Sequence, residues 1–348
     1  MVAAPRRRRW ANPLLVLASI AMALAAAEAF LRLANLQVTD WAYNSRKYGH
    51  VVTYDEAGGF TRQIPHAETS AYGASIRFNA YGMRDVEHAL AKPSGTRRIL
   101  ILGDSITVGL SEAFKAIFPR RLEVLLNRDG ATPRPVEVVT AAVSGWNTVA
   151  ERNYLRAEGL RFDPDVVVVL YVTNDNELTV PWAPRPPLPP LVRAWQWLGD
   201  RSRLVELGTF AYRKRWPNRP DAEGMRVLGE IARARASRQA EHHTFEPDDR
   251  GWLASREALE DIAAMTRARD VGLLVVLLNL GGPDAPAVTA RLAEFSAASG
   301  VRVVDAFPWF GGRPVTELVN GALHPNALAH GIIAEGMARE LAGSGLLR

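Results

Sequence analysis

Three short polar turns hold the groups in this 348-residue chain that could carry out acyl chemistry: Gly103-Asp104-Ser105, Ser144-Gly145-Trp146-Asn147 and Thr173-Asn174-Asp175. A serine hydroxyl attacks an acyl carbon when a base takes its proton, and the oxyanion that develops needs donors already aimed at it. Gly103 lets the chain turn sharply, and Ser105 at the start of a helix would present its backbone N–H beside its hydroxyl. Gly145, with no Cβ, allows a second backbone N–H to approach closely, and the Asn174 carboxamide is a third donor. Taken singly, each has a plainer reading. Asp104 or Ser105 is a helix N-cap, Gly145 a turn glycine and Asn174 an Asx-turn closing a strand. His324, just before Pro325-Asn326, belongs to the loop that begins a final helix.

Each turn follows a short, almost continuous apolar run. Such runs cover residues 98–102, 136–143 and 166–172, and two more follow at 272–278 and 301–304. Val- and Ile-rich runs bounded by turn signals read as strands buried on both faces. Helical stretches are expected between them at residues 111–127, 148–158, 251–269 and 288–299, and a last helix after Pro325, a residue favoured at the first helical position. Strand-helix alternation implies a parallel sheet with helices on both sides, and ligands of such sheets bind beyond the carboxyl ends of the strands. The three turns would therefore meet at one edge.

In this order the blocks resemble the SGNH/GDSL hydrolase superfamily. Ile101-Leu102-Gly103-Asp104-Ser105-Ile106-Thr107 is similar to its first block, Gly145 and Asn174-Asp175 centre the second and third, and His324-Pro325-Asn326 is the last. Upstream, Asn79-Ala80-Tyr81-Gly82-Met83-Arg84 resembles an N-x-x-G-x-R element of exported bacterial members. The resemblance implies a flavodoxin-like three-layer α/β/α sandwich with a mostly parallel sheet. It also implies that Ser105 is the nucleophile and His324 the general base and then general acid. The Ser105 backbone N–H, Gly145 and Asn174 would form the oxyanion hole, with no metal or organic cofactor. Members usually carry Asp three residues before the histidine, where this chain has Gly321; Asn320, Glu317, Asp305 or a backbone carbonyl are the candidates to orient the ring instead. Ala329 replaces a usual glycine before His330, which is assigned a structural role.

The net charge of +5 is concentrated at the N-terminus, where Arg6 to Arg9 and Arg32 face only Glu28; the near-neutral remainder gives no footprint for nucleic acid. No Walker loop or dinucleotide glycine fingerprint follows the first strand, which argues against a nucleotide-binding protein. After the arginines, residues 14–27 are uncharged and apolar, continuing to Leu31 if Glu28 is tolerated. This is just long enough to span a bilayer, with the arginine end in the cytoplasm and the body exported. A cleaved signal peptide ending near Ala25-Ala26-Ala27 and a buried soluble helix are the alternatives. The absence of cysteine removes disulfides, lipoprotein attachment and thiolate chemistry.

The expected organisation is a basic tail and transmembrane anchor at 1–36, an irregular short-strand extension at 37–95, and the hydrolase domain at 96–348 with an insertion at about 180–245. Trp146 and the tryptophans from Trp182 to Trp197 are read either as core residues or as the lining of an apolar or sugar-stacking cleft. The function expected is ester hydrolysis through an acyl-serine in the cell envelope, at the inner membrane with the catalytic domain outside, on an acylated small molecule, lipid or glycan. Acyl transfer to a sugar hydroxyl is the alternative, as is a ligand-binding or assembly protein impaired by the change at Gly321.

Overall fold

The computed structural model describes residues 11–38, 40–128, 132–177, 189–215, 245–280, 284–320 and 324–347. Its first element, α1 (Ala11–Leu33), is long and apolar enough to cross a membrane and none of its hydrophobic window is buried against the rest of the chain. It is followed by α2 (Trp41–Tyr48) and two antiparallel hairpins, β1 (Val52–Asp55) with β2 (Phe60–Gln63) and β3 (Glu68–Ala71) with β4 (Ala74–Arg77). The helix α2 was not expected from the sequence. Eight residues are too few to show a helical period, and local bonds define it: Asp40 Oδ1 accepts from Tyr43 N at 2.8 Å, and Asn44 Nδ2 donates to the Asp40 carbonyl at 2.8 Å.

The remaining elements build the main sheet and its helices: β5 (Arg97–Gly103), α3 (Ser105–Val108), α4 (Phe118–Leu126), β6 (Val136–Ala142), α5 (Thr148–Ala157) and β7 (Val166–Tyr171). Then come α6 (Pro190–Arg201), α7 (Arg203–Arg215), α8 (Arg250–Arg267), β8 (Gly272–Leu277), α9 (Ala285–Ser299), β9 (Arg302–Asp305), α10 (Val315–Leu318) and α11 (Ala327–Gly343). All five strands run parallel in the order β6-β5-β7-β8-β9, the flavodoxin order.

Strand residues alternate between two cores, as the period of two demands. Leu100, Leu102, Val167, Val169 and Val275 face the layer containing α5, α8, α9 and both N-terminal hairpins. Ile99, Ile101, Val166, Val168 and Leu274 face α4 and α11. Because the first core includes Tyr48, Val52, Phe60, Ile76, Phe78 and Met83, the N-terminal hairpins are packed as part of it.

Two helix boundaries differ from expectation. The stretch 111–127 is α-helical only as α4, after a 3₁₀ turn over Phe114–Ala116, because Pro119 in its first turn lacks the N–H needed to continue an α-helix from upstream. The last helix begins two residues after Pro325, with Asn326 as its N-cap, and Pro325 instead makes an isolated bridge with Val319. Of the tryptophans in question, Trp146 is buried against Phe60 and Tyr154, Trp195 and Trp197 are exposed, and Trp182 lies outside the described residues.

Candidate active site

At the carboxyl end of β5 the chain turns at Asp104 and enters the single-turn helix α3 with Ser105 as its first residue. Asp104 is the N-cap, its Oδ1 accepting from Ile106 N at 2.9 Å, so the plain reading of this residue is correct. The turn needs Gly103, where an added Cβ would lie 2.0 Å from Thr107 Oγ1. The second turn, after β6, carries Gly145 at φ 85° and at the surface. The third, after β7, is a 3₁₀ turn over Thr173–Asn176 containing Asn174. These turns flank the reversal in strand order, the usual ligand position of such sheets.

His324 comes from the far end of the chain, and its Nε2 lies 3.0 Å from Ser105 Oγ. Asn174 Nδ2 reaches Asp104 Oδ2 at 3.4 Å, and Ser105 Oγ stands 3.3 Å from the same oxygen. The serine and the carboxamide thus converge on the buried Asp104 carboxylate, with the imidazole on the serine hydroxyl. Burial pushes the Asp104 carboxyl up, against the opposing pull of Ile106 N–H, the His324 charge and Asn174.

Gly321 lies outside the described residues. Of the other candidates to orient the ring, Asn320 donates its backbone N–H to the His324 carbonyl at 2.9 Å and its carboxamide to Ser111 Oγ. Glu317 pairs with Arg313 at 3.6 Å, and Asp305 Oδ1 accepts from Phe307 N at 2.9 Å. His330 is buried, stacked on Phe118, and accepts from Phe118 N through Nδ1 at 3.2 Å. Burial brings its pKa down to about 3, so the ring is neutral.

The N-x-x-G-x-R element supports the Ser105 helix from below. Asn79 Oδ1 accepts from Tyr81 N at 3.0 Å and Met83 N at 2.9 Å, closing a tight turn. Gly82 sits at φ +71°, where a Cβ would lie 2.3 Å from the Gln63 carbonyl. The turn directs Arg84, 2% exposed, to the end of α3, where its guanidinium donates to the carbonyls of Val108 and Gly109 and, at 2.7 Å, of Glu112. A cation at a helix C-terminus satisfies carbonyls that the helix leaves open. Burial holds this guanidinium down to about 10, so it stays charged at neutral pH.

The Gly145 turn is fixed from the same side. Tyr48 Oη accepts from Ser144 N at 3.2 Å and from Gln63 Nε2 at 3.0 Å, while Gln63 Nε2 also donates to the Ala142 carbonyl at 2.8 Å. Trp146 Nε1 donates to the Thr61 carbonyl at 2.6 Å. Asn147 caps α5 through Ala150 N at 3.0 Å and bonds the Glu177 carbonyl, and Thr148 Oγ1 donates to Asp175 Oδ1 at 2.9 Å. The second and third turns are therefore bonded to each other.

Sequence reasoning missed the supporting roles of Tyr48 and Gln63, and the burial of Glu151 beside the third turn. Glu151 is 0% exposed, and neither carboxylate oxygen has a hydrogen-bond partner. Burial, and then the charges of Asp175 and Asp104, push its carboxyl well above the usual range. Asp175 is also pushed well above it by burial, although Val172 N donates to its Oδ2 at 2.6 Å. Among the described residues no group of three or more His, Asp or Glu is placed to hold a metal ion.

A serine beside an imidazole at the strand edge of a flavodoxin-order sheet defines an α/β protein of the hydrolase class. The chain belongs to the GDSL-like lipase/acylhydrolase family, whose profile matches residues 101–332. Among solved structures it is similar to the psychrotrophic esterase EstA from Pseudoalteromonas sp., at 13% identity over 71% of this chain and 98% of that one, with a TM-score of 0.42. It is similar to a lipase/acylhydrolase from Enterococcus faecalis, at 16% identity over 71% and 96% of the two chains and a TM-score of 0.43. A catalytic mutant of Axe2, an acetylxylan esterase from Geobacillus stearothermophilus, matches at 14% identity over 72% and 96%, with a TM-score of 0.42. No curated protein sequence matches the chain.

Proposed function

We propose that the protein is a membrane-anchored serine esterase of the cell envelope that works through an acyl-Ser105 intermediate. The observation that carries this reading is the 3.0 Å approach of His324 Nε2 to Ser105 Oγ. His324 takes the hydroxyl proton as Ser105 Oγ attacks the ester carbonyl carbon, and the carbonyl oxygen becomes an oxyanion. The N–H groups of Ser105 and Gly145 and the Asn174 carboxamide stabilise that charge. Collapse breaks the ester bond and His324 returns its proton to the departing alkoxide. Water, activated by the same imidazole, then cleaves the acyl-serine and releases the acid. The apolar helix α1, none of whose apolar window is buried and which is preceded in sequence by Arg6 to Arg9, supports an uncleaved anchor with the body outside the cytoplasm. That address makes acylated lipids or glycans the substrates.

The test is intact-mass analysis of the full chain in neutral detergent after treatment with a small fluorophosphonate, beside Ser105→Ala and His324→Gln. One adduct on the parent, none on Ser105→Ala and slow labelling of His324→Gln are expected. Labelling slows by about 10²–10⁴ when general-base help is lost. No adduct on the folded parent refutes an activated serine.

A further inference from the structure

A cavity of about 600 Å³, which Ser105 does not line, lies between the C-terminal end of α1, the β3–β4 hairpin and α6–α7. Five arginines line it, Arg32, Arg77, Arg193, Arg201 and Arg203, against three carboxylates. Two of those carboxylates share one buried lysine, and Glu206 also pairs with Arg203 at 3.1 Å. The buried Lys47 Nζ lies 2.9 Å from Asp200 and 3.0 Å from Glu206, and 2.6 Å from Ser70 Oγ. The third, Glu68, is shared between Arg77 at 3.0 Å and Arg201 at 3.5 Å. With Lys47 and the Glu28 that pairs with Arg32 included, six cations face four carboxylates, so the cavity has a fixed polar floor and a net positive charge carried by guanidinium groups, which bind phosphate oxygens in bidentate fashion.

Its surroundings are those of a membrane surface. Glu28, inside the apolar helix α1, accepts from Ser202 Oγ at 2.9 Å, Arg203 N at 3.0 Å and Leu204 N at 2.9 Å, capping the start of α7. Arg32, paired with Glu28 at 2.6 Å, also donates to the Arg201 carbonyl, so the end of α1 is bonded directly to the cavity wall. Beside the cavity α6 leaves Leu191 86% exposed, Trp195 53% and Leu198 39%, at the i, i+4, i+7 spacing of one helical face. An apolar face with tryptophan, next to basic side chains, is the pattern of a helix lying in the headgroup layer.

We propose that this cavity is a binding site for the phosphate headgroup of an anionic phospholipid, whose acyl chains remain in the bilayer along α1 and the apolar face of α6. The assignment rests on the reading of α1 as a membrane anchor. A neutral or cationic headgroup leaves the guanidinium surplus unmatched, and a fully apolar ligand has no place on the polar floor.

The experiment uses the full chain in mixed micelles of neutral detergent with equal amounts of phosphatidylglycerol and phosphatidylcholine, with retained lipid read by native mass spectrometry. The parent retains phosphatidylglycerol preferentially. The double variant Arg77→Gln/Arg193→Gln loses that preference by about 25-fold, since each arginine at an anionic headgroup contributes about fivefold. The charge-matched double variant Arg156→Gln/Arg302→Gln, which changes exposed arginines outside the cavity lining, keeps it. Equal retention of the two lipids by the parent, or equal loss in both double variants, overturns the site. Displacement of phosphatidylglycerol by millimolar inorganic phosphate overturns the lipid assignment in favour of a free phosphate. Flotation of the parent with pure phosphatidylcholine vesicles reports the anchor separately, so loss of lipid preference with flotation intact refutes the cavity alone, and failure to float refutes the anchor.

Discussion

Replacing Arg84 by Met keeps most of the side chain's bulk and removes every donor it brings to the end of α3. The guanidinium serves three carbonyls, of Val108, Gly109 and Glu112. The Gly109 carbonyl keeps Glu112 N at 3.0 Å, so two carbonyls lose the donor that serves them. At about 1–3 kcal/mol for each unsatisfied acceptor, the expected destabilisation is about 2–6 kcal/mol. Removing a buried cation also removes its own desolvation cost, which places the result in the lower half of that range. Urea denaturation of the full chain in neutral detergent measures it, and hydrolysis of a small chromogenic ester per folded molecule measures the effect on Ser105. Because α3 is a single turn, release of its end reaches Ser105 directly, and kcat falls with KM little changed. A stability loss under about 1 kcal/mol refutes the capping argument. A full loss with unchanged kcat refutes the coupling to Ser105.

Tyr48→Phe removes the acceptor for Ser144 N and loosens the Gly145 turn; a fall in kcat of about tenfold is expected, less than the roughly 10²–10³ for deleting an oxyanion donor outright, with acylation rates as the readout. Gly82→Ala forces a left-handed residue to carry a Cβ 2.3 Å from the Gln63 carbonyl, and a loss exceeding about 2 kcal/mol in urea is expected; a neutral result refutes the tight-turn account. Glu151→Met removes a buried carboxyl whose native pKa is raised, and is expected to stabilise the fold. The sign follows from linkage. The native state keeps a proton that the unfolded chain releases in the ordinary carboxylate range near pH 4.3, so this group's contribution is lost as pH rises from there through the raised native value. The gain over the parent should therefore be larger at pH 8 than at pH 5; an equal gain at both refutes burial in the neutral form.

Much of this architecture was legible in the sequence because the signals were local and strong. The Val-rich runs ending in polar turns marked all five strands of the main sheet, since strands buried on both faces have no alternative composition. Ser105, Gly145, Asn174 and His324 were singled out as candidates by order along the chain, and the geometry that brings Ser105 and His324 together rests on sheet topology that spacing alone does not encode. The contributions of Tyr48 and Gln63 were not legible, because they act through side chains reaching across 96 and 79 residues to bond a backbone N–H and a carbonyl. A tyrosine in an eight-residue helix and a glutamine at the end of a short strand carry no pattern. Glu151 was hidden by a different effect: a charged residue on an amphipathic helix reads as solvated, and tertiary packing buried it instead.

The 219-residue separation of Ser105 and His324 has a consequence for the timing of synthesis. Everything that supports the serine from below, Arg84 included, is made before it or soon after, whereas the imidazole arrives only with the final helix. On the mechanism proposed above, a nascent chain carries a placed but unactivated serine until its last segment is released. On that mechanism, a premature stop anywhere before His324 leaves Ser105 without its base, however well the upstream chain folds.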